Sequence, residues 1–389
     1  MQKGTVQQKI DGLLDAFEYG QAGLELMKKA LDDPSREVRE AAYWLLTESK
    51  TETAKQALYN YLPYKRMQCL YTIKDLQLDS SIYSIYSPDY FTITPDGRNL
   101  VCVCGFAYKF TGIQFWDLWT GQLSRSINNC IHGIRLGAEG KTLVGYFQDF
   151  IIVENLQSEG GSSFPGDIDL SNPAFAVGLG KKPLYAYKGF RHKGKLFTIS
   201  VGNYQTGQII HTWQWESRYR ADEILSLFIS PDDKFILSYS VESLDTTDGI
   251  QNSYFLKLWD IETKELAQTF DVSKDWGKLT IDALAIDSEG RLLIIGLREG
   301  KVSIWDLSTR QVRSSLPGIL PTTMTPDGKV SVCCSEENGI IVWDIQNNQH
   351  ICTLEGQPQP IQHLALSSNR EWIASYTSEQ TIRIYGLPE

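Results

Sequence analysis

Residues 135–142, RLGAEGKT, come closest of any stretch in this chain to a phosphate-binding loop. Such a loop needs Gly, four residues, then Gly-Lys-Thr ahead of a helix, so that backbone N–H groups surround the phosphate oxygens. Arg135 stands where the first Gly is required, and strand-like sequence rather than a helix follows. A plain β-turn is therefore expected there, with no cofactor. The five histidines (His132, His192, His211, His350 and His363) lie far apart, and no HExxH or CxxC spacing joins them to acids or thiols. No metal site is expected. Seven cysteines are an odd number, which suits reduced thiols better than a disulfide framework. Cys102 and Cys104 alternate in one strand-like run, Cys333 and Cys334 adjoin in another, and all four read as buried thiols. There is no GxSxG elbow, and nothing singles out a Ser, His and acid triad. No catalytic residue is assigned, and a non-enzymatic protein is expected.

A second group of residues suits recognition. KGFRHKGK at 188–195 and QWESRYR at 214–220 offer Phe190, Arg191, His192, Trp215, Arg218, Tyr219 and Arg220. Arg mixed with aromatic residues is the composition of interface hot spots. This basic island stands on a chain of formal charge −10, so an acidic or phosphorylated protein partner is expected. The plainer alternative is that these aromatics cover a neighbouring segment or pad a loop. The overall acidity disfavours nucleic acid and anionic membrane surfaces. No stretch approaches the roughly 18 unbroken apolar residues of a membrane helix, and the first residues lack the apolar core of a signal peptide. A cytoplasmic protein is expected.

The elements that must position these residues change character near residue 66. Residues 1–62 contain one proline, Pro34, and are rich in Ala, Leu, Glu, Lys and Gln, all good helix formers. Ile10, Leu13, Leu14 and Phe17 recur at helical spacing, as do Leu24, Met27 and Leu31, then Val38, Ala41, Ala42, Leu45 and Leu46. Three or four amphipathic helices are predicted. Asp33 should cap the third helix, with Pro34 at its first position, where a missing N–H costs nothing. From residue 91 short β-rich runs alternate with Gly, Asp and Asn turns. Trp-Asp dipeptides end four of these runs, at Trp116-Asp117, Trp259-Asp260, Trp305-Asp306 and Trp343-Asp344. A turn gives a second ruler: TPDG at 94–97, SPDD at 230–233, DSEG at 287–290, TPDG at 325–328 and SSNR at 367–370, with weaker copies GAEG at 137–140 and GKKP at 180–183. Seven registers emerge, at Pro88, Ile131, Ala174, Ile224, Ile281, Ile319 and Ile361. Their separations cluster near the 40 to 45 residues of a propeller blade.

This pattern resembles the WD-repeat family over residues 68–387. The resemblance is strong for blades five to seven, good for one and four, and weak for two and three, where Val153-Glu154-Asn155 replaces the Trp-Asp pair and then no equivalent follows. It implies a mainly β fold, a seven-bladed β-propeller over 67–389 preceded by a small helical segment over 1–66. LDDPSREVREAAYWLL within that segment resembles a HEAT-like repeat, whose single copy should dock on its neighbour or on a partner. QCLYTI at 68–73 resembles the last strand of blade six, HICTL at 350–354, and should close the last blade. The family's Gly-His dipeptide is missing, so packing must tie the blades, with the Trp residues between them and the Asp residues accepting turn N–H groups.

The loops at 105–110, 188–195, 214–220, 241–253 and 271–278 should open together on one face, the top. The implied function is a scaffold that gathers partner proteins on that face, with the helical segment as a second surface. Helices ahead of WD repeats also resemble multi-domain proteins of cyanobacteria, which implies a bacterial cytosol. Because propellers host binding modules and enzymes alike, two rivals stand: a sensor binding a small ligand in the central channel, and a channel hydrolase or lyase.

Overall fold

Apolar residues at helical spacing fold as four helices: α1 (Val6–Phe17), α2 (Gly20–Ala30), α3 (Arg36–Ser49) and α4 (Glu52–Asn60). In this computed structural model the described residues are 4–74, 90–105, 111–129, 131–137, 140–156, 161–170, 174–190, 196–216, 223–246, 249–273, 280–287, 290–298, 301–309, 311–354, 358–379 and 381–388. A capping box starts α1: the Thr5 hydroxyl accepts from the Gln8 N–H while the Gln8 side chain accepts from the Thr5 N–H. Gly23 lets α2 approach α1, since a Cβ there would collide with the Ala16 carbonyl. The third helix starts later than its sequence suggests. Ser35 is its N-cap, Pro34 precedes it, and Asp33 instead accepts from the Ser35 N–H and pairs with Lys9 at 2.8 Å. Leu13, Met27, Val38, Ala42, Leu45 and Leu46 fill the core of this layer.

After a short 3-10 turn, Pro63–Arg66, comes β1 (Gln68–Ile73). Seven four-stranded antiparallel sheets make the propeller. Blade one is β2 (Tyr90–Ile93), β3 (Asn99–Gly105), β4 (Thr111–Asp117) and β5 (Leu123–Asn129). Blade two is β6 (His132–Leu136), β7 (Thr142–Phe147), β8 (Phe150–Asn155) and β9 (Gly161–Pro165). Blade three is β10 (Phe175–Val177), β11 (Leu184–Phe190), β12 (Leu196–Asn203) and β13 (Ile209–Glu216). Blade four is β14 (Glu223–Ile229), β15 (Phe235–Thr246), β16 (Gly249–Asp260) and β17 (Leu266–Asp271). Blade five is β18 (Thr280–Ile286), β19 (Leu292–Arg298), β20 (Lys301–Asp306) and β21 (Gln311–Leu316). Blade six is β22 (Ile319–Met324), β23 (Val330–Cys334), β24 (Ile340–Asp344) and β25 (Gln349–Leu354). Blade seven is β26 (Ile361–Leu366), β27 (Trp372–Thr377) and β28 (Ile382–Gly386), completed on its outer edge by β1. Gln68 pairs with Gly386 and Ile73 with Ile382, so the ring closes through backbone hydrogen bonds.

Packing ties the blades. Seven hydrophobic clusters each draw on two neighbouring blades, one cluster for every junction of the ring. Trp259, Trp305 and Trp372 are buried in three of them. In all four Trp-Asp pairs the carboxylate accepts from one or two backbone N–H groups of the following turn, as where Asp260 accepts from Glu262 and Thr263 at 2.8 Å each.

The turn from first to second strand needs a left-handed residue at its fourth position, which Gly adopts without steric cost. Gly97, Gly140, Gly290 and Gly328 supply it in four blades, with φ between +63° and +77°. Two blades break the pattern: Asp233 (φ +60°) in blade four and Arg370 (φ +63°) in blade seven. In the phosphate-loop-like stretch the Gly140 N–H donates to the Gly137 carbonyl at 2.9 Å, at this same turn position of blade two, and β7 follows.

Candidate partner-binding surfaces

Turns joining first to second and third to fourth strands share one face of the ring, the bottom. Second-to-third turns and blade-to-blade connections share the top. The helical layer sits on the bottom, across blades six, seven and one. Arg370 Nη1 donates to the carbonyls of Leu58, Tyr59 and Tyr61 at 2.7, 3.0 and 3.1 Å. These include two last-turn carbonyls of α4, those of Leu58, which also accepts from the Tyr61 N–H at 3.2 Å, and Tyr59, and a cation there also suits the helix dipole. Arg370 Nη2 meets Asp327 of blade six. Next to it, Glu371 takes Arg39 Nε of α3 at 3.1 Å and the Tyr61 hydroxyl at 2.5 Å. Arg36 lies over the rings of Trp372 and Trp119 at 4.8 and 5.3 Å, and Lys329 over Tyr59 at 4.5 Å. Tyr64 is fully buried in the cluster shared by blades six and seven, and burial raises its phenol pKa well above the usual value.

This arrangement explains the side chain of Arg370. A non-Gly residue in the left-handed region costs about 1–2 kcal/mol. Here the guanidinium offsets it by closing one end of a helix. Asp233 makes a comparable link between blades, accepting from the Lys182 N–H of blade three at 2.8 Å. Neither Arg370 nor Glu371 stood out in the sequence. The only signals were Arg370 where four sister turns carry Gly, and Glu371 where five of them are followed by Lys or Arg.

Of the recognition residues on the top face, Phe190 ends β11, with its backbone paired to Phe197. Arg191, His192, Arg218, Tyr219 and Arg220 lie outside the described residues. Trp215 is half-buried near the end of β13, its ring stacked on Phe197 at 5.9 Å and Trp259 at 5.0 Å, with Lys257 Nζ 5.6 Å from its centre. It thus packs across the junction of blades three and four.

Parts of the expected top loops are strand. Lys188, the first residue of KGFRHKGK, is a buried member of β11, 3.1 Å from Asp169 on the blade-two connection and 3.8 Å from Glu223 at the start of β14. One ammonium thereby ties three successive blades at their top edge. Segment 241–253, expected as a loop, extends β15 and β16 to twelve residues each. The first strand of blade four pairs no further than Glu223 with Val241, and the fourth no further than Phe255 with Asp271. Beyond these, 242–246 and 249–253 pair with each other and stand above the blade as a two-stranded ribbon.

The central channel holds a cavity of about 610 Å³ lined from all seven inner strands. Its wall mixes apolar side chains such as Phe91, Phe175 and Phe228 with polar ones such as Thr92, Arg135 and Ser226. His363 takes part in it, packed at 6.1 Å from Phe91 and 5.9 Å from Tyr376, and burial lowers its pKa to about 4. Cys333 and Cys334 are buried, and burial raises both thiols to about 12, far from the reactive thiolate range. Among the described residues no group of three or more His, Cys, Asp or Glu is placed to hold a metal ion, and no helix is long and apolar enough to cross a membrane.

Comparison with known proteins gives two results. Residues 348–386, from the last turn of blade six through blade seven, match the family model described as WD domain, G-beta repeat. Transducin-like enhancer protein 2 of Mus musculus is 28% identical over 109 residues, covering 26% of this chain and 14% of that protein. Protein groucho of Drosophila melanogaster is 26% identical over 107 residues, covering 26% of this chain and 15% of that protein. The chain thus matches about one seventh of the length of these relatives.

Proposed function

We propose that this WD-repeat propeller is a cytosolic, non-enzymatic scaffold whose top face binds partner proteins around the junction of blades three and four. The ribbon formed by 242–246 and 249–253 carries the reading. An isolated two-stranded ribbon gains little stability of its own and leaves backbone donors and acceptors along its edges, which are ready to pair with another chain. It rises beside the ends of β11 and β13, from which the basic and aromatic residues 190–192 and 215–220 continue. Their charge on an acidic chain favours an acidic or phosphorylated partner. The bottom face at blades six, seven and one is already covered, which supports the top as the recognition face and leaves the outer side of the helical segment, residues 1–66, as a second surface on the propeller of 67–389.

The test is affinity capture from the native lysate by the intact chain and by a variant carrying Arg191→Ala, Arg218→Ala and Arg220→Ala. A discrete partner retained by the first and lost by the second, at equal melting temperature, supports the reading. Hot-spot arginines each contribute about 2 kcal/mol or more, so loss should be complete at ordinary wash stringency. Equal capture by both chains overturns the top-face site.

A further inference from the structure

The helices keep their apolar core to themselves. Leu13, Met27, Val38 and Leu45 pack with one another and with Tyr61, and no residue of the blades belongs to that cluster. The seam between helical layer and ring is held instead by polar and charged groups: Arg39 and Tyr61 on Glu371, Arg370 on the end of α4, and the Tyr43 hydroxyl donating to the Ser368 carbonyl at 3.2 Å. Surfaces joined in this way part more readily than halves of a shared apolar core. Glu40 of α3 is the weak member of the seam. Its Oε1 is buried and accepts no hydrogen bond among the described residues. Glu371 of blade seven and Glu37 of its own helix repel its anion, while Arg98 of blade one and Arg36 attract it. Both guanidinium groups also lie over the Trp119 ring, at 5.7 and 5.3 Å from its centre, and Glu371 is already paired with Arg39. Burial, and then Glu371, prevail and raise Glu40 from 4.5 to about 7.

We infer that the helical layer is a proton-controlled latch on the bottom of the ring, closed while Glu40 is protonated and parting from blades seven and one when Glu40 ionises beside Glu371. Parting hydrates Glu40, separates two like carboxylates and uncovers Trp119 and Trp372, the rings beneath Arg36. The ring itself stays closed, because Tyr64 and Met67 are anchored between blades six and seven and β1 is paired with β28. Since docked Glu40 titrates above released Glu40, the closed form is fully favoured below pH 4.5 and loses that advantage as pH rises to about 7. The latch is independent of the top-face reading.

The test is hydrogen–deuterium exchange of the full chain from about pH 5 to about pH 8, corrected for the intrinsic rate at each pH. In the parent, exchange in α3 and α4 should speed up by at least about tenfold relative to β23 and β27 over that range. Glu40→Gln, which cannot ionise, should match the parent at the acidic end and keep the same corrected rate at the alkaline end. The parent profile decides the matter even where Glu40→Gln does not fold. Corrected exchange in α3 and α4 that is flat with pH, or that rises equally in β23 and β27, overturns the latch. So does a Glu40→Gln chain with the parent's full pH dependence.

Discussion

Arg39 of the third helix and Glu371 of the seventh blade, 332 positions apart in the chain, meet at 3.1 Å with 2% and 5% of their side chains exposed. The Tyr61 hydroxyl shares the same carboxylate oxygen, whereas Arg39 Nη2 is buried without a hydrogen-bond partner. Removing one partner strands a buried charge, so Glu371→Ala should cost about 3–5 kcal/mol in urea unfolding. Replacing both, as in Arg39→Met with Glu371→Leu, should return stability to near that of the parent. A double variant as unstable as the single one contradicts this account.

The left-handed backbone at Arg370 makes a separate comparison possible. Arg370→Ala loses the contacts to α4 and keeps the strain of φ +63°, while Arg370→Gly loses the same contacts and relieves the strain. The Gly variant should therefore be the more stable of the two by about 1 kcal/mol. In both, amide hydrogen exchange in α4 should speed up relative to α3. Unchanged exchange in α4 would show that its C-terminal carbonyls do not depend on the guanidinium.

Glu40, on α3 at the same interface, titrates in the opposite sense to an ordinary surface carboxylate. Burial, and then the charge of Glu371, push it up from 4.5 to about 7. Between those values the folded protein holds a proton that the unfolded chain has released, so stability falls as pH rises from 4.5 to 7. Glu40→Gln should melt above the parent at pH 8 and together with it at pH 4.5. A variant that melts no higher at pH 8 removes the effect.

His363 contributes the reverse slope. Burial lowers it from 6.5 to about 4, so on acidification the unfolded chain takes up a proton before the folded one does. Its contribution to stability is complete above pH 6.5 and is lost as pH falls toward 4. The ring resonances of His363 in the folded protein should titrate with a midpoint near 4; a midpoint near 6.5 would falsify its burial in the channel wall.

Blade three offers a prediction about a site that the Trp-Asp pattern does not mark. Asn203 pairs with the first residue of β11, as Asp117 pairs with the first of β3, and its Oδ1 accepts from the N–H groups of Gln205 and Thr206 at 2.9 and 3.1 Å. Asn203→Ala should cost about 1 kcal/mol, the net value of such hydrogen bonds, and Asn203→Asp should cost nothing measurable in thermal melts.

These particulars show what the sequence makes legible. Seven turn registers locate the seven blades because each turn needs special backbone angles, and so special residues, whatever the strands contain. Blade three escapes the Trp-Asp rule since Gly202 stands at the Trp position and the Tyr185 ring of the adjacent strand packs against it. NYQTGQ at 203–208 nevertheless parallels DLWTGQ at 117–122, and both carry a left-handed Gly at the fifth position, Gly207 and Gly121. The start of α3 and the ribbon of blade four were misplaced for a different reason. Asp-Pro suits a helix start and VESLDTTDGIQNS suits a loop, but local propensity is a weak guide where tertiary contacts decide the ends of elements. Lys188 read as part of a basic loop because its partners, Asp169 and Glu223, are distant in sequence. Arg39, Arg370 and Glu371 were invisible for that reason too.

The outer strand of blade seven also sets an order in time. The strand at 68–73 is made well before its partner, Ile382–Gly386, which comes about 300 residues later. At about 5–20 residues per second that is a wait of roughly 15–60 s. Throughout it the helical layer can fold, while Arg39 lacks Glu371 and the N-terminal strand lacks a neighbour. Until the last strand emerges, an extended segment with unpaired backbone groups stays open to other chains, so the newborn protein is most vulnerable at the same seam that later makes the ring continuous.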